Sequence, residues 1–104
     1  MSRPPDWAGV EGFEWDRANV EKNWQRHRVA FYECEEVFFQ EPLIIAMDVA
    51  HSASEPRYVA YGRTIGGRWL TVVFTIRGQR FRVISAREMS RKERKAYAQT
   101  SPSV

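Results

Sequence analysis

Two glycine-led turns, Gly66-Gly67 and Gly78-Gln79, divide residues 58–86 into three runs rich in β-branched and aromatic side chains: 58–64, 68–76 and 80–86. Turns this short join only antiparallel neighbours, because a parallel crossover needs a dozen residues or more. The stretch therefore predicts an antiparallel meander, and its turns propose a register. The first turn places Arg63 opposite Leu70, Tyr61 opposite Val72 and Val59 opposite Phe74. The second places Phe81 opposite Ile76, Val83 opposite Phe74, Ser85 opposite Val72 and Arg87 opposite Leu70. One face of the sheet is then apolar, with Arg63 and Arg87 at its end beside Leu70. The opposite face carries Tyr58, Thr64, Trp69, Thr71, Thr75, Arg77, Arg80, Arg82 and Ile84.

Upstream, residues 13–15 read as a short strand, and Asp16 can cap a helix running to about His27. Val20, Trp24 and His27 share one face of it, at i, i+4 and i+7. A second helix is predicted over 31–39, with Phe31, Cys34, Val37 and Phe38 inward and Glu33, Glu35 and Glu36 outward; Pro42 follows its end. The apolar run 43–47 suits a further strand. Ser90 and Glu93 form a capping box that opens a last helix, on which Met89, Glu93 and Tyr97 share a face. The predicted fold is α+β: an antiparallel sheet of four to five strands packed against an N-terminal helical hairpin, plus a C-terminal helix. We expect one domain over 13–99, a flexible tail over 1–12 that can pin Trp7 against it, and a frayed tail over 100–104.

Charge is divided unevenly. Residues 1–56 hold five basic and eleven acidic side chains, and residues 57–104 hold eleven basic and two acidic ones, nine of those eleven being arginines. Arginine's planar fork binds phosphate through two hydrogen bonds, so the basic half suits a polyanion, most naturally RNA; solvated faces of a small basic protein are the plain alternative. Cys34 is the only cysteine, which excludes a disulfide framework and a cysteine-rich metal site. Asp48 and His51 alone do not make a metal site. No window reads as a membrane span or a secretory signal, and a reducing cytoplasm is expected.

Several stretches are recognisable in order: Phe13-Glu14-Trp15-Asp16, Asn23-Trp24-Gln25-Arg26-His27 with Val29-Ala30-Phe31, Tyr61-Gly62-Arg63, Val72 to Gly78, and Arg82 to Arg87 leading to Glu93-Arg94 and Tyr97. Over residues 13–98 the chain resembles the BrnT family of toxins from type II toxin–antitoxin modules. It departs from the family pattern at Asn19 and Arg26, where lysine is usual, and at Arg28, where glycine is usual. The resemblance implies a RelE-like fold and a metal-independent ribonuclease, without cofactor, that halts translation. It also implies a BrnA-like ribbon-helix-helix antitoxin that binds operator DNA and assembles with the toxin, possible as a heterotetramer.

Such a ribonuclease directs the ribose 2′-hydroxyl at the neighbouring phosphorus. It needs a proton acceptor, a donor for the departing 5′-oxygen, and cations around the phosphorane. Arg63 and Arg87 are the first-choice cations and Arg77 the next, with His27, Glu33 and Tyr97 available for proton transfer. Lys22, Arg26, Arg80, Arg82 and Trp69 are candidate RNA contacts, Trp69 also being a candidate antitoxin contact. In the proposed register the Arg63–Arg87 pair and the Arg77, Arg80 and Arg82 set lie on opposite faces, so only one can centre a site. His27 also suits a core histidine bonded to a carbonyl. Arg63 and Arg87 could instead pair with Glu14, Asp16 or Glu33. A non-catalytic nucleic-acid binder and a module that recruits a protein partner remain the other function classes.

Overall fold

Asp16 starts the first helix as the sequence predicts, its carboxylate accepting the amides of Ala18 and Asn19 at 2.8 and 3.3 Å. The computed structural model describes residues 10–51 and 55–100, so the expected terminal tails, Trp7 included, lie largely outside the described residues. The chain runs β1 (Gly12–Glu14), α1 (Arg17–His27), α2 (Phe31–Val37), β2 (Ile44–Met47), β3 (Tyr58–Arg63), β4 (Trp69–Arg77), β5 (Arg80–Glu88) and α3 (Arg91–Thr100). The five strands form one sheet in the order β1-β5-β4-β3-β2. No helix among the described residues is long and apolar enough to cross a membrane.

The sheet is mixed, not wholly antiparallel: β1 pairs with β5 in parallel, Phe13 beside Phe81. Residues 15–79 separate these strands, so no tight turn dictates their relative direction. Beyond Arg82 the edge of β5 passes from β1 to α1, which docks through polar side chains. Asn19 Nδ2 donates to Val83 O at 3.5 Å, Lys22 Nζ to Ile84 O at 3.1 Å, and Asn23 Oδ1 accepts from Ala86 N at 3.2 Å. Consequently Asn23 is the buried residue of α1, while Trp24 is 48% exposed and His27 is exposed. The apolar spacing that suggested an inward Trp24–His27 face is overridden by the open amides and carbonyls of a strand edge. Phe31 is likewise half exposed, its ring edge-on to Trp15 at 5.9 Å.

The first proposed register changes throughout, and the second changes beyond Val83. The β3–β4 loop holds three residues, Ile65 to Gly67, closed by Thr64 N donating to Arg68 O at 2.8 Å, with Gly67 at φ 93. This slides β3 by one position, so Arg63 faces Trp69, Tyr61 faces Thr71 and Tyr58 faces Phe74. The Gly78 turn forms as predicted and pairs Arg77 with Arg80, Ile76 with Phe81 and Phe74 with Val83. A bulge then leaves Ile84 without an opposite residue, so Ser85 faces Val73 and Arg87 faces Thr71. Since side chains alternate along a strand, each one-residue shift moves its arginine to the other face. Arg63 and Arg87 therefore leave the apolar face together.

That face carries Ala60, Leu70, Val72, Phe74, Phe81, Val83 and Ala86, packed under Val29, Cys34 and Val37. Phe38 stacks on Phe81 at 4.8 Å and meets Phe74 edge-on at 5.1 Å. Burying each such ring contributes roughly 1.5–3 kcal/mol. Helix α2 approaches β3 so closely that a Cβ on Gly62 would sit 2.8 Å from Val37 Cγ1. The far face, expected to be open, is roofed at one end by α3, which the Ser90–Glu93 capping box starts as predicted. Tyr97 is buried there against Trp69, with ring centroids 4.9 Å apart, and donates its hydroxyl proton to Pro42 O.

Arg28 ends α1 in the left-handed conformation, φ 53 and ψ 40, which favours glycine. Its guanidinium lies 5.4 Å from the Trp24 ring centroid. A left-handed residue with a Cβ costs roughly 1–2 kcal/mol, and an exposed cation–π contact returns roughly 0.5–1 kcal/mol. Arg28→Gly is thus expected to raise the unfolding free energy by about 0.5 kcal/mol. Urea unfolding of the two proteins measures the difference, and a loss of stability would assign more to the stacked guanidinium than to the relieved backbone.

Candidate active site

The two register shifts gather residues that the sequence alone had separated. Across the sheet below α3, Ile44, Tyr61, Thr71 and Arg87 form one row, and Arg63 and Trp69 form the next. Glu93 of α3 binds this surface. Its carboxylate accepts from Arg87 Nη1 at 2.7 Å and Nη2 at 3.0 Å, from Thr71 Oγ1 at 3.0 Å and from Ser90 N at 2.8 Å. The Arg87 bonds, aided by those from Ser90 and Thr71, hold the Glu93 carboxyl down to about 2 against the opposing effect of burial, and Glu93 in turn raises Arg87. Burial, and then the Glu93 charge, push the Tyr61 phenol up. Burial raises Tyr97 too, and the nearby Arg63 partly opposes it. Arg63 itself is exposed; its Nε donates to Glu41 O at 2.8 Å and it pairs with no carboxylate among the described residues. Arg94 stands 5.0 Å over the Trp69 ring, so Trp69 is half-buried between a cation and Tyr97 instead of lying open.

The division of charge along the chain is in part an internal complementarity. Arg82 binds Glu14 and Asp16 at 2.9 and 3.0 Å, Arg68 binds Glu33 at 2.9 Å, and Arg77 binds Glu55 at 3.1 Å. In each pair an acid of the first half meets an arginine of the second. Arg68 also reaches Glu88 at 2.9 Å and the carbonyl of Arg28 at 2.8 Å. The acids suggested as partners for Arg63 and Arg87 are therefore taken by Arg82 and Arg68. Arg63, Arg80, Arg91, Lys92, Arg94 and Lys95 are left without a carboxylate among the described residues, and four of these six lie on α3.

The remaining candidates are dispersed. Arg77, Arg80 and Arg82 share the face of Arg87, contrary to the proposed register, but lie toward the Gly78 turn. Six strand residues, or roughly 20 Å, separate Arg77 from Thr71. Glu33 belongs to the α2 layer, where its carboxylate holds Arg68 and the Ala30 amide. Lys22 holds the bulge carbonyl of Ile84, and Arg26 and His27 are exposed on the last turn of α1. His27 is thus no core histidine. Cys34 is fully buried and its thiol is pushed up to about 12 by burial, which removes it as a nucleophile at neutral pH. Among the described residues no three His, Cys, Asp or Glu side chains gather as a metal site.

Sequence reasoning missed Tyr61 and Thr71, which the slipped register had assigned to the wrong neighbours, and Glu93, whose capping role had accounted for it. A signal for Tyr61 was present: Ala60 and Gly62 are the small residues that a close-packed helix demands, which turns Tyr61 away from it.

The Arg87–Glu93 pair makes stability depend on pH. A depressed carboxylate stabilises the fold above its unfolded value of 4.5, and that contribution is lost as pH falls toward about 2. Because Arg87 is 43% exposed, we assign the pair about 2 kcal/mol after solvent screening. Glu93→Gln is expected to lose this amount at pH 7 and to match the wild type near pH 2. Urea midpoints across that range test it, and a deficit independent of pH would remove the ion pair as its cause.

A family model described as the ribonuclease toxin BrnT of a type II toxin–antitoxin system matches residues 15–93. The crystal structure of the Brucella abortus ribonuclease toxin BrnT superposes with a TM-score of 0.60 at 21% identity, covering 79% of this chain and all of that one, and so shares its fold. No curated protein sequence matches the chain. With residues 15–93 of the chain inside the matched region, the chain belongs to the BrnT family of type II toxin–antitoxin ribonuclease toxins, a membership that implies a cognate antitoxin.

Proposed function

We propose that the chain is an RNA-cleaving toxin whose centre is the α3-covered end of the sheet. The observation that carries the proposal is the convergence there of Arg63, Arg87, Tyr61 and Glu93 from two strands and a helix. Arg87 gives three of its five N–H groups to Glu93 and the Glu88 carbonyl. Its Nε–H and one Nη2–H remain as a two-donor edge for phosphate. Arg63 adds an uncompensated charge from the other side. Both cations act on the crowded phosphorane, where fixed charge lowers the barrier most.

Proton transfer is less well provided. A carboxyl held at about 2 is a weak base at neutral pH, so Glu93 orients Arg87 and does not take the 2′-hydroxyl proton. Tyr97 spends its proton on Pro42 O and positions α3. Tyr61, raised by burial and without a hydrogen bond among the described residues, remains protonated at neutral pH and can donate to the departing 5′-oxygen. The 2′-hydroxyl proton then leaves to solvent, which makes for a slow enzyme that works by charge stabilisation. A BrnA-like ribbon-helix-helix antitoxin would silence it, in a heterotetramer that reaches operator DNA through the antitoxin.

Purified chain is expected to cut single-stranded RNA in the presence of a chelator, leaving 2′,3′-cyclic phosphate ends, and to leave 2′-O-methylated RNA intact. The engagement of Arg87 by Glu93 favours a second reading, a binder without catalysis. RNA bound but uncut under these conditions would establish that reading instead.

A further inference from the structure

We infer that the cavity between α3 and the β2–β3 edge is a pocket for one unstacked base of single-stranded RNA beside the cleaved linkage, an assignment that rests on the ribonuclease reading. The cavity measures about 460 Å³ and is walled by Ile44, Tyr61, Ala96 and Tyr97, with Ser90 and Lys92 also lining it. That volume lies within the range of roughly 300–1,000 Å³ typical of small-ligand pockets, and its walls are mainly apolar and aromatic, as base recognition requires. Tyr61 and Glu93 line this cavity, and Glu93 binds Arg87, so an occupant would adjoin the proposed centre.

Charge selects the occupant. Helix α3 carries Arg91, Lys92, Arg94 and Lys95, and its one acid, Glu93, is neutralised by Arg87. Lys92 has no carboxylate partner among the described residues. An apolar cleft lined in part by an unneutralised cation fits a planar base attached to a phosphate, a pairing that every nucleotide presents at fixed spacing. A base in a duplex is stacked and cannot enter, so the substrate is RNA that is single-stranded at the cut.

The test titrates the free chain with each of the four nucleoside 3′-monophosphates and with inorganic phosphate, following backbone amides by NMR. Base-dependent shifts are expected at Ile44, Tyr61, Ala96 and Thr100 and are not expected with phosphate alone. Ala96 is exposed on α3, and Ala96→Phe fills the cavity; it is expected to weaken nucleotide binding about tenfold or more, while Ala96→Ser serves as the folding control. Shifts reproduced by phosphate alone, or unchanged by Ala96→Phe, would overturn the pocket. In cleavage mapping, Ala96→Phe should erase the base preference next to the cut. An unchanged preference overturns the pocket and leaves the ribonuclease standing. If the wild type cuts no RNA, the ribonuclease reading fails and the titration still decides the pocket. Loss of antitoxin binding in Ala96→Phe with an unchanged cleavage map would assign the cavity to a protein anchor, which also overturns the proposal.

Discussion

Arg63→Ala is expected to slow RNA cleavage by about 100-fold or more, the scale on which losing a group that stabilises transition-state charge is usually felt, while changing the unfolding free energy by less than about 0.5 kcal/mol. The two readouts separate because Arg63 is exposed and its one hydrogen bond among the described residues goes to the Glu41 carbonyl, which water can satisfy in its absence. Arg87 is a less clean target. Its removal would leave Glu93, which is only 20% exposed, without its main partner, so lost activity could reflect a loosened α3. Arg87→Lys keeps the charge, cannot make the two-pronged contact, and should still fall well below wild type. Cleavage at the wild-type rate by the Arg63→Ala, Arg87→Lys double variant would remove both residues from the centre.

The largest stability effect is expected from an arginine outside the proposed centre. Arg68 is 29% exposed and holds Glu33, itself 15% exposed, together with Glu88 and the carbonyl that ends α1. Arg68→Ala leaves Glu33 half-desolvated and unpaired, for which about 3 kcal/mol is the usual scale. For a domain of this size that lowers Tm by roughly 10 °C or more. Arg80→Ala removes the same charge from the sequence but touches no carboxylate among the described residues, and should stay within about 0.5 kcal/mol of wild type. Thermal unfolding of the two variants side by side decides the matter. Equal stabilities would show that the arginine–carboxylate pairs are passive surface contacts.

That contrast explains what could be read before the structure and what could not. Asp16, the Ser90–Glu93 box and the Gly78 turn act within a few residues of themselves, so their caps and pairing were legible. The Gly66-Gly67 loop was misjudged because Ile65 joins it, a choice fixed by Thr64 closing on Arg68. The bulge at Ile84 leaves no local mark at all: Lys22, 62 residues earlier, bonds its carbonyl. One unseen residue in each strand pairing was enough to put Arg63 and Arg87 on the wrong face. The errors were equal for both, which is why their convergence survived the correction. The charge split suggested a polyanion through composition, whereas distance decides which cations remain unspent once Glu14, Asp16, Glu33 and Glu55 have found their arginines.

The parallel seam between the first strand and the last has a consequence for synthesis. Residues 12–14 cannot find their place until residues 80–82 exist, and the Arg87–Glu93 clasp needs the chain as far as α3. A pairing as remote in sequence as that of β1 with β5 forms late. In a protein of this layout emerging from a ribosome, the surface around Arg87 stays unfinished until α3 has followed it out, so the proposed centre is assembled as one unit and not in stages.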